Sequence, residues 1–483
     1  MFYINLFCAI TALIYFLIQA DGILFNAVGL VWFVVMLANM AQCVKSEKRG
    51  LYHVLSLLLP LVLILMKCML ATNTSSSAMS IFLHVLVVLY YVFSAYIYWA
   101  LEHGTLSKSP AKAPNTASWI FYGLLCLLIT VLFVDMFYHT LITPSLSMSK
   151  PIIQMLSGFR LFFSMAFYAT GIGLAHRFIA ADLPKASQIS LLVTACLFFA
   201  SLLPSFAAPG SASNANKAYE RFFGEDDFSF AYSIPQALFG GTESGYIVTK
   251  NITYTTMNYD GEDYELKFDL YKPEQESGKL PVLLRIHGSG GSKGVRNNAL
   301  MSEALSSEGF AVIDLNYGNE KVKPGNDQLV ENVCVLLNYL YENQKELNLD
   351  VQRIYLSGVS RGGKMCLMTA AAWSNNKYFD LKNKVTIAGN VILWGVMDDV
   401  FLREGDERIL SLEELNQNFP KTLFIDTTND GSVQGQHLLQ GVLYTLGVDS
   451  ANIELRYAMH GANNDYYGFW GQLVDAYILR FIK

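Results

Sequence analysis

The chain has 483 residues, a formal net charge of −6 and a mean hydropathy of +0.32, so it is too long for one ordinary domain and too apolar to be solvated by water throughout. Only ten of its 34 Lys and Arg and five of its 40 Asp and Glu lie in residues 1–210, which places the acidity in the remainder. An acidic polar half offers no electrostatic footprint for nucleic acid, and that class of partner is excluded.

Seven apolar runs of about 20 residues, the length a helix needs to cross a bilayer core, occupy 2–20, 22–43, 51–71, 80–101, 118–140, 152–176 and 187–208. The first lacks a basic leader and runs straight into further spans, so it reads as a retained helix rather than a signal peptide. Lys45, Lys48, Arg49, Lys108, Lys112, Arg177 and Lys185 fall in alternate loops, while the intervening loops hold only Lys150. The positive-inside tendency then puts the N-terminus in the cytoplasm and everything after the seventh span outside it, as in a multi-pass plasma-membrane protein. Asp135 and Arg160 fall at similar depth in neighbouring spans, where an ion pair between helices is the favoured reading.

"APGSASNANKA", residues 208–218, is small and polar with Pro and Gly, and reads as the exit from the membrane; 211–245 is then a linker and membrane-proximal segment. The expected domains are a transmembrane bundle over 1–210 and a polar domain over 246–483. In the latter, "YIVTKNITYTT" and "YELKFDLY" flank the turn "NYDGED" as a hairpin. "PVLLRIHG", "FAVIDLNY", "RIYLSG", "NVILWGV", "TLFIDTT" and "IELRY" are short apolar runs suited to a buried, mostly parallel sheet. Helical stretches at 296–308, 326–346, 361–373, 434–447 and 467–481 alternate with them, which predicts an eight-stranded α/β domain with helices on both faces.

The chemistry centres on "YLSGVSRGGK", residues 355–364, in which Ser360 stands between a strand and a helix as G-x-S-x-G. Small neighbours permit the tight strand-to-helix turn that exposes such a hydroxyl. A serine needs a base, and of the three histidines here His460 follows the last strand at the same sheet edge; His437 lies in a helical stretch and His287 heads a glycine-rich turn. The imidazole needs an acid to hold its tautomer. Asp430 follows the penultimate strand, with Asp426, Asp398 and Asp399 as competitors. "HGSGGSKG", residues 287–294, supplies backbone N–H donors: Gly288 and Ser289, with the N–H of Arg361, are the candidate oxyanion hole. Neither G-K-[ST] nor a helix-opening G-x-G-x-x-G is present, which argues against a nucleotide site, and no Cys or His spacing suggests a metal. The side chains of Arg361 and Lys364 read as structural or solvated charges before substrate contacts, and Cys334 and Cys366 as buried thiols.

In their order, "FDLYKP", "PVLLRIHGSGG", "NYG", "GVSRGG", "DTTND" and "MHG" resemble an α/β-hydrolase of the esterase-like branch that includes carboxylesterases and feruloyl-esterase-like enzymes, over about 246–483. The resemblance implies Ser360 as nucleophile, Asp430 as acid, His460 as base, an oxyanion turn at 287–291 and no cofactor. Ser289 stands where many relatives carry glycine, and Arg361 where a small or acidic residue is common. The expected function is a membrane-anchored serine hydrolase acting on small-molecule or lipid esters. A prolyl-oligopeptidase-like peptidase, an acyltransferase using the same serine and a binding-only receptor or scaffold remain alternatives.

Overall fold

The computed structural model describes residues 1–18, 22–45, 78–104, 116–137, 168, 170–175, 177–179, 181–239, 241 and, apart from 290–291, 295, 319–324, 396–413, 429, 431, 459 and 463–465, the chain from 243 to 483. It divides into two compact units, one of residues 1–206 and 233–242, the other of 207–232 and 243–483.

The first unit contains helices α1 (Phe2–Ile18), α2 (Gly22–Lys45), α3 (Ala78–Glu102), α4 (Thr116–Phe137), the first part of α5 (Pro184–Phe223) and α6 (Ile234–Phe239). Helix α1 buries Asn5, Cys8, Ala9, Ala12 and Tyr15, a 3–4 residue spacing that marks one helical face. Polar groups on that face are satisfied across helices. Asn5 and Asn39 exchange amide hydrogen bonds of 3.1 and 2.6 Å, Asn39 also donates to Tyr90 Oη at 3.3 Å, and Trp32 Nε1 donates to Thr11 Oγ1 at 2.9 Å. The opposite face of α1 exposes Phe7, Ile10, Ile14 and Leu17.

Among the described residues two helices, over Val85–Glu102 and Pro184–Phe223, are long and apolar enough to cross a membrane; the apolar stretches Phe2–Ile18 and Ala27–Asn39 are shorter. Of the seven runs read from the sequence, 51–71 and most of 152–176 lie outside the described residues, as do Asp135's side chain and Arg160.

The region read as a linker differs most from expectation. Residues 208–218 are helical, continuing α5 to Phe223, and from Ala207 on they belong to the second unit. Ala208, Ser211, Ala215 and Tyr219 recur at 3–4 residue spacing and are buried there, so small residues that resemble a loop in composition form a packing face instead. The partner is the last helix, α12 (Phe469–Ile482). Tyr219 packs on Tyr477 at 5.9 Å and Phe223 on Phe481 at 5.3 Å between ring centroids. Arg480 lies over Tyr219 and Phe228, at 4.0 and 4.4 Å, and donates to Asp226 and Asn216, each at 2.8 Å.

The second unit carries an eight-stranded sheet in the order β1-β2-β4-β3-β5-β6-β7-β8. Strands β1 (Tyr246–Tyr259) and β2 (Glu262–Pro273) form the expected hairpin, closed by Asp260 and Gly261 at φ 53° and 83°, the pair of positive angles that a two-residue turn of this kind needs. Strand β2 pairs antiparallel with β4 (Ala311–Leu315). β3 (Leu280–Ile286), β5 (Leu349–Val359), β6 (Ile387–Leu393), β7 (Thr422–Thr427) and β8 (Ser450–Leu455) continue from β4 in parallel.

Helices α8 (Asn326–Glu342), α9 (Arg361–Ser374) and α11 (Val433–Thr445) contribute to one core with Val282, Leu284, Ile313 and Ile354. On the other face α7 (Arg296–Ser307), α12 and α5 meet Leu283, Val312, Val391 and Ile453. The alternation of Val282, Leu283 and Leu284 between two cores is the period-2 consequence of a strand buried on both faces. A short helix, α10 (Leu381–Lys384), lacks a counterpart among the predicted elements.

Candidate active site

Ser360 ends the turn from β5 into α9 with φ 55° and ψ −122°, a backbone region that costs a non-glycine residue of order 1–3 kcal/mol. Close packing imposes it. A Cβ on Gly358 would fall 2.2 Å from the Gly362 carbonyl oxygen, and one on Gly362 would fall 2.0 Å from that of Ile286, so neither position accepts a side chain. The Ser360 N–H donates to Leu393 O at 2.9 Å, and its own carbonyl accepts from Gly363 and Lys364. Its hydroxyl makes no capping bond to α9.

Because β5, β7 and β8 run parallel, the chain leaves each at the same sheet edge, where binding sites of open α/β sheets form. Asp430 follows β7 and His460 follows β8. His460 Nδ1 donates to Asp430 Oδ2 at 2.5 Å, and Asp430 is buried while His460 is partly exposed. The two loops are tied together, since Thr428 N donates to Leu455 O at 3.1 Å and Tyr457 N to Thr428 Oγ1 at 2.9 Å.

Asp426 has a different part. It is fully buried, its two carboxyl oxygens share the Ser432 hydroxyl proton at 2.8 and 2.7 Å from Oγ, it accepts from Thr427 N, and burial pushes its carboxyl well above the ordinary range. Ser432 in turn donates its N–H to Asp430 at 3.4 Å, so Asp426 braces the loop that carries Asp430. Asp398 and Asp399 lie outside the described residues.

The turn after β3 meets Ser360 directly. A Cβ added to Gly288 would sit 3.1 Å from the Val359 carbonyl oxygen, 3.2 Å from Ser360 Cβ and 3.8 Å from Ser360 Oγ, so a side chain at 288 would crowd the serine. Ser289 is exposed beside it; Gly290 and Gly291 lie outside the described residues. His287 shapes this turn, as its position suggested: it is buried, its Nδ1 lies 2.8 Å from Gly288 O, and its carbonyl accepts from Tyr317 Oη at 2.7 Å. His437 is a surface residue paired with Glu454 at 2.7 Å. Arg361 opens α9, and its guanidinium donates to Asn326 Oδ1 at 3.1 Å, which gives that charge a structural partner.

Three residues near the site went unnoticed in the sequence. Trp394, fully buried at the end of β6 with φ 40°, places its ring 6.5 Å from that of His460. Tyr317 and Ser432 hold the loops just described. Tyr317 lies in the "NYG" segment but was given no role there, while Trp394, directly after a strand, and Ser432, at a helix start, belong to no motif. Cys334 and Cys366 are buried free thiols, and burial pushes both upward. No cluster of metal-ligating side chains occurs among the described residues.

A family model described as BD-FAE matches residues 268–431. The putative alpha/beta hydrolase R526 of Acanthamoeba polyphaga mimivirus is 28% identical over 131 residues, 27% of this chain and 36% of the relative, so the match spans about a third of that protein's length. Among solved structures, brefeldin A esterase, described as a bacterial homologue of human hormone-sensitive lipase, is 16% identical with a TM-score of 0.41, covering 58% of this chain and 83% of its own. A bacterial heroin esterase is 20% identical with a TM-score of 0.38, covering 56% and 91%. The strand order, the strained strand-to-helix turn and the family match support the α/β-hydrolase superfamily for the second unit.

Proposed function

We propose that the protein is a membrane-anchored serine esterase acting on small-molecule or lipid esters through Ser360, His460 and Asp430. The observation that carries this reading is the convergence on one sheet edge of a strained, uncapped Ser360 packed against Gly288 and a His460 whose Nδ1–H is held by Asp430. With Nδ1 occupied, the imidazole presents Nε2 as the base. Ser360 Oγ attacks the ester carbonyl as its proton passes to His460. The carbonyl oxygen takes the negative charge, facing the N–H groups of Gly288, Ser289 and Arg361 at the start of α9. His460 then protonates the departing alcohol, and water attacks the acyl-enzyme with the same residue as base, releasing the acid.

The first unit is the anchor in this proposal. Its apolar outer face on α1 and its internally paired Asn5 and Asn39 suit a lipid surround, where polar groups must find partners within the protein. The full reading has seven spans, a cytoplasmic N-terminus and the hydrolase unit on the outer face of the plasma membrane. Labelling of intact cells with a membrane-impermeant fluorophosphonate tests both parts. Labelling lost in Ser360→Ala supports the nucleophile and the outer location; labelling only after permeabilisation overturns the location, and labelling unchanged by the substitution overturns the nucleophile.

A further inference from the structure

A trans peptide plane carries its C=O and its N–H on opposite edges, so whatever holds the carbonyl of one residue also sets the direction of the next residue's N–H. In the turn after β3 this applies twice. The Gly288 N–H shares a plane with the His287 carbonyl, and the Ser289 N–H shares one with the Gly288 carbonyl. Both carbonyls are held by aromatic side chains. Tyr317 Oη donates to His287 O at 2.7 Å, and the His287 ring donates through Nδ1–H to Gly288 O at 2.8 Å. The two rings lie against each other, with 4.8 Å between centroids. The His287 carbonyl is also packed on α9, since a Cβ on Gly362 would fall 2.7 Å from its oxygen.

Tyr317 is itself fixed. It follows β4, is fully buried, and its carbonyl accepts from Asn332 Nδ2 on α8 at 2.9 Å. Gly318, next in the chain, has φ 99°, and a Cβ there would fall 3.1 Å from that amide nitrogen, so glycine lets the backbone pass this close to Asn332. The Gly318 N–H turns back to Asn316 Oδ1 at 2.8 Å. A hydroxyl held in this way does two things to the plane it meets. It fixes the rotation of the His287–Gly288 unit, and by drawing electron density toward the carbonyl it makes the Gly288 N–H a stronger donor.

We propose that Tyr317 is a positioning residue for the oxyanion donors, acting through the His287 carbonyl on the Gly288 N–H. This rests on the esterase reading of Ser360, in which that N–H meets the developing oxyanion. Tyr317 then works through the backbone rather than on the substrate. Its contribution grows as the carbonyl oxygen takes up charge, so it belongs to kcat and not to KM.

The test compares a short p-nitrophenyl ester with its thiono analogue, in which C=S replaces C=O, on the full chain in detergent. Sulfur is a weak hydrogen-bond acceptor, so the thiono ester draws little from the oxyanion donors and reports the rest of the machinery. Tyr317→Phe keeps the ring and removes the hydroxyl. It is expected to lower kcat for the oxo ester about tenfold with KM within about twofold, and to lower the oxo-to-thiono rate ratio about threefold or more. Tyr254→Phe is the control. Tyr254 Oη donates at 2.9 Å to the carbonyl of Asn316, the residue before Tyr317, so the same deletion beside it should leave the ratio at the parent value. Should Tyr317→Phe fail to fold, Asn332→Ser, which withdraws the amide from the Tyr317 carbonyl, is read by the same ratio, with a fall of about twofold expected. A ratio that stays at the parent value in the folded variant, or that falls equally in Tyr254→Phe, overturns the proposal. Hydrolysis that survives Ser360→Ala overturns the esterase reading instead, so the two failures are distinguishable.

Discussion

The two units obey one rule in opposite directions. In the first, α1 turns Phe7, Ile10 and Leu17 outward and closes Asn5 against Asn39, both with no exposed surface. In the second, apolar side chains such as Val282, Leu284 and Ile354 fill the interior, and a buried charge such as Arg285 finds a hydrogen-bond partner in Ser302. Asn5 and Asn39 show how a polar pair satisfies itself where water is absent, and apolar side chains face whatever surround tolerates them. The contrast is the basis on which the first unit is proposed to anchor and the second to react.

The largest effect expected lies wholly in the second unit. Ser360→Ala should lower kcat for short p-nitrophenyl esters by at least about 1,000-fold, with the fold retained as judged by thermal unfolding. Residual activity within tenfold of the parent would remove the hydrolase side of the comparison. Next comes the packing beneath that serine. Gly362→Ala pushes a methyl into the Ile286 carbonyl oxygen, 2.0 Å away, and backbone in a central strand has nowhere to move. A loss on the order of 3 kcal/mol is expected, visible in denaturant unfolding of the protein.

A paired substitution addresses the surroundings directly. Phe7 and Leu438 are comparably exposed, at 59% and 55%, one on α1 and the other on α11. If lipid bathes α1, Phe7→Asp costs about 3 kcal/mol and reduces insertion, measured as the membrane-integrated fraction. Leu438→Asp should change stability by no more than about 0.5 kcal/mol, because water already meets that side chain. Equal and small effects at both positions would place α1 in water and dissolve the contrast.

Much of the second unit was legible in the sequence because its signals are local and redundant. Each of the parallel strands is a short apolar run ending near a turn signal, and Ser360, Asp430 and His460 were singled out by asking which reactive residue follows which strand; the structure brings His460 to Asp430. The hairpin turn at Asp260-Gly261 was readable for the same reason. Residues 208–218 were not. Ala, Ser and Asn there look like loop, and the partners of this helix, Tyr477 and Phe481 against Tyr219 and Phe223, lie over 250 residues downstream. Arg285 was equally silent. A lone arginine in a strand run has no pattern, and its place depends on Ser302 and on Asp314 beside it in the sheet, which only the fold assembles.

The smallest of these effects is the one that pH reveals. Burial pushes Asp475 up to about 7, with Tyr466 and Arg285 opposing and Glu243 adding to the rise. Its folded-state value exceeds its unfolded one, so the folded protein holds the proton more tightly. Stability is highest below the unfolded value of 3.8 and falls as pH rises toward about 7, above which the loss is complete. Asp475→Asn does not titrate and escapes that fall. Relative to the parent, the variant should gain on the order of 2 kcal/mol between pH 5 and pH 8, measured as the difference in unfolding free energy at the two values. Leu438→Asp, on the exposed side of the same unit, should show no comparable trend, since a carboxylate already in water has nearly the same affinity for its proton folded and unfolded. A parent and an Asp475→Asn variant whose difference stays flat across that range would mean that Asp475 is ionised at no cost, and the buried side of the contrast would then be paired more completely than Arg285 and Tyr466 alone provide.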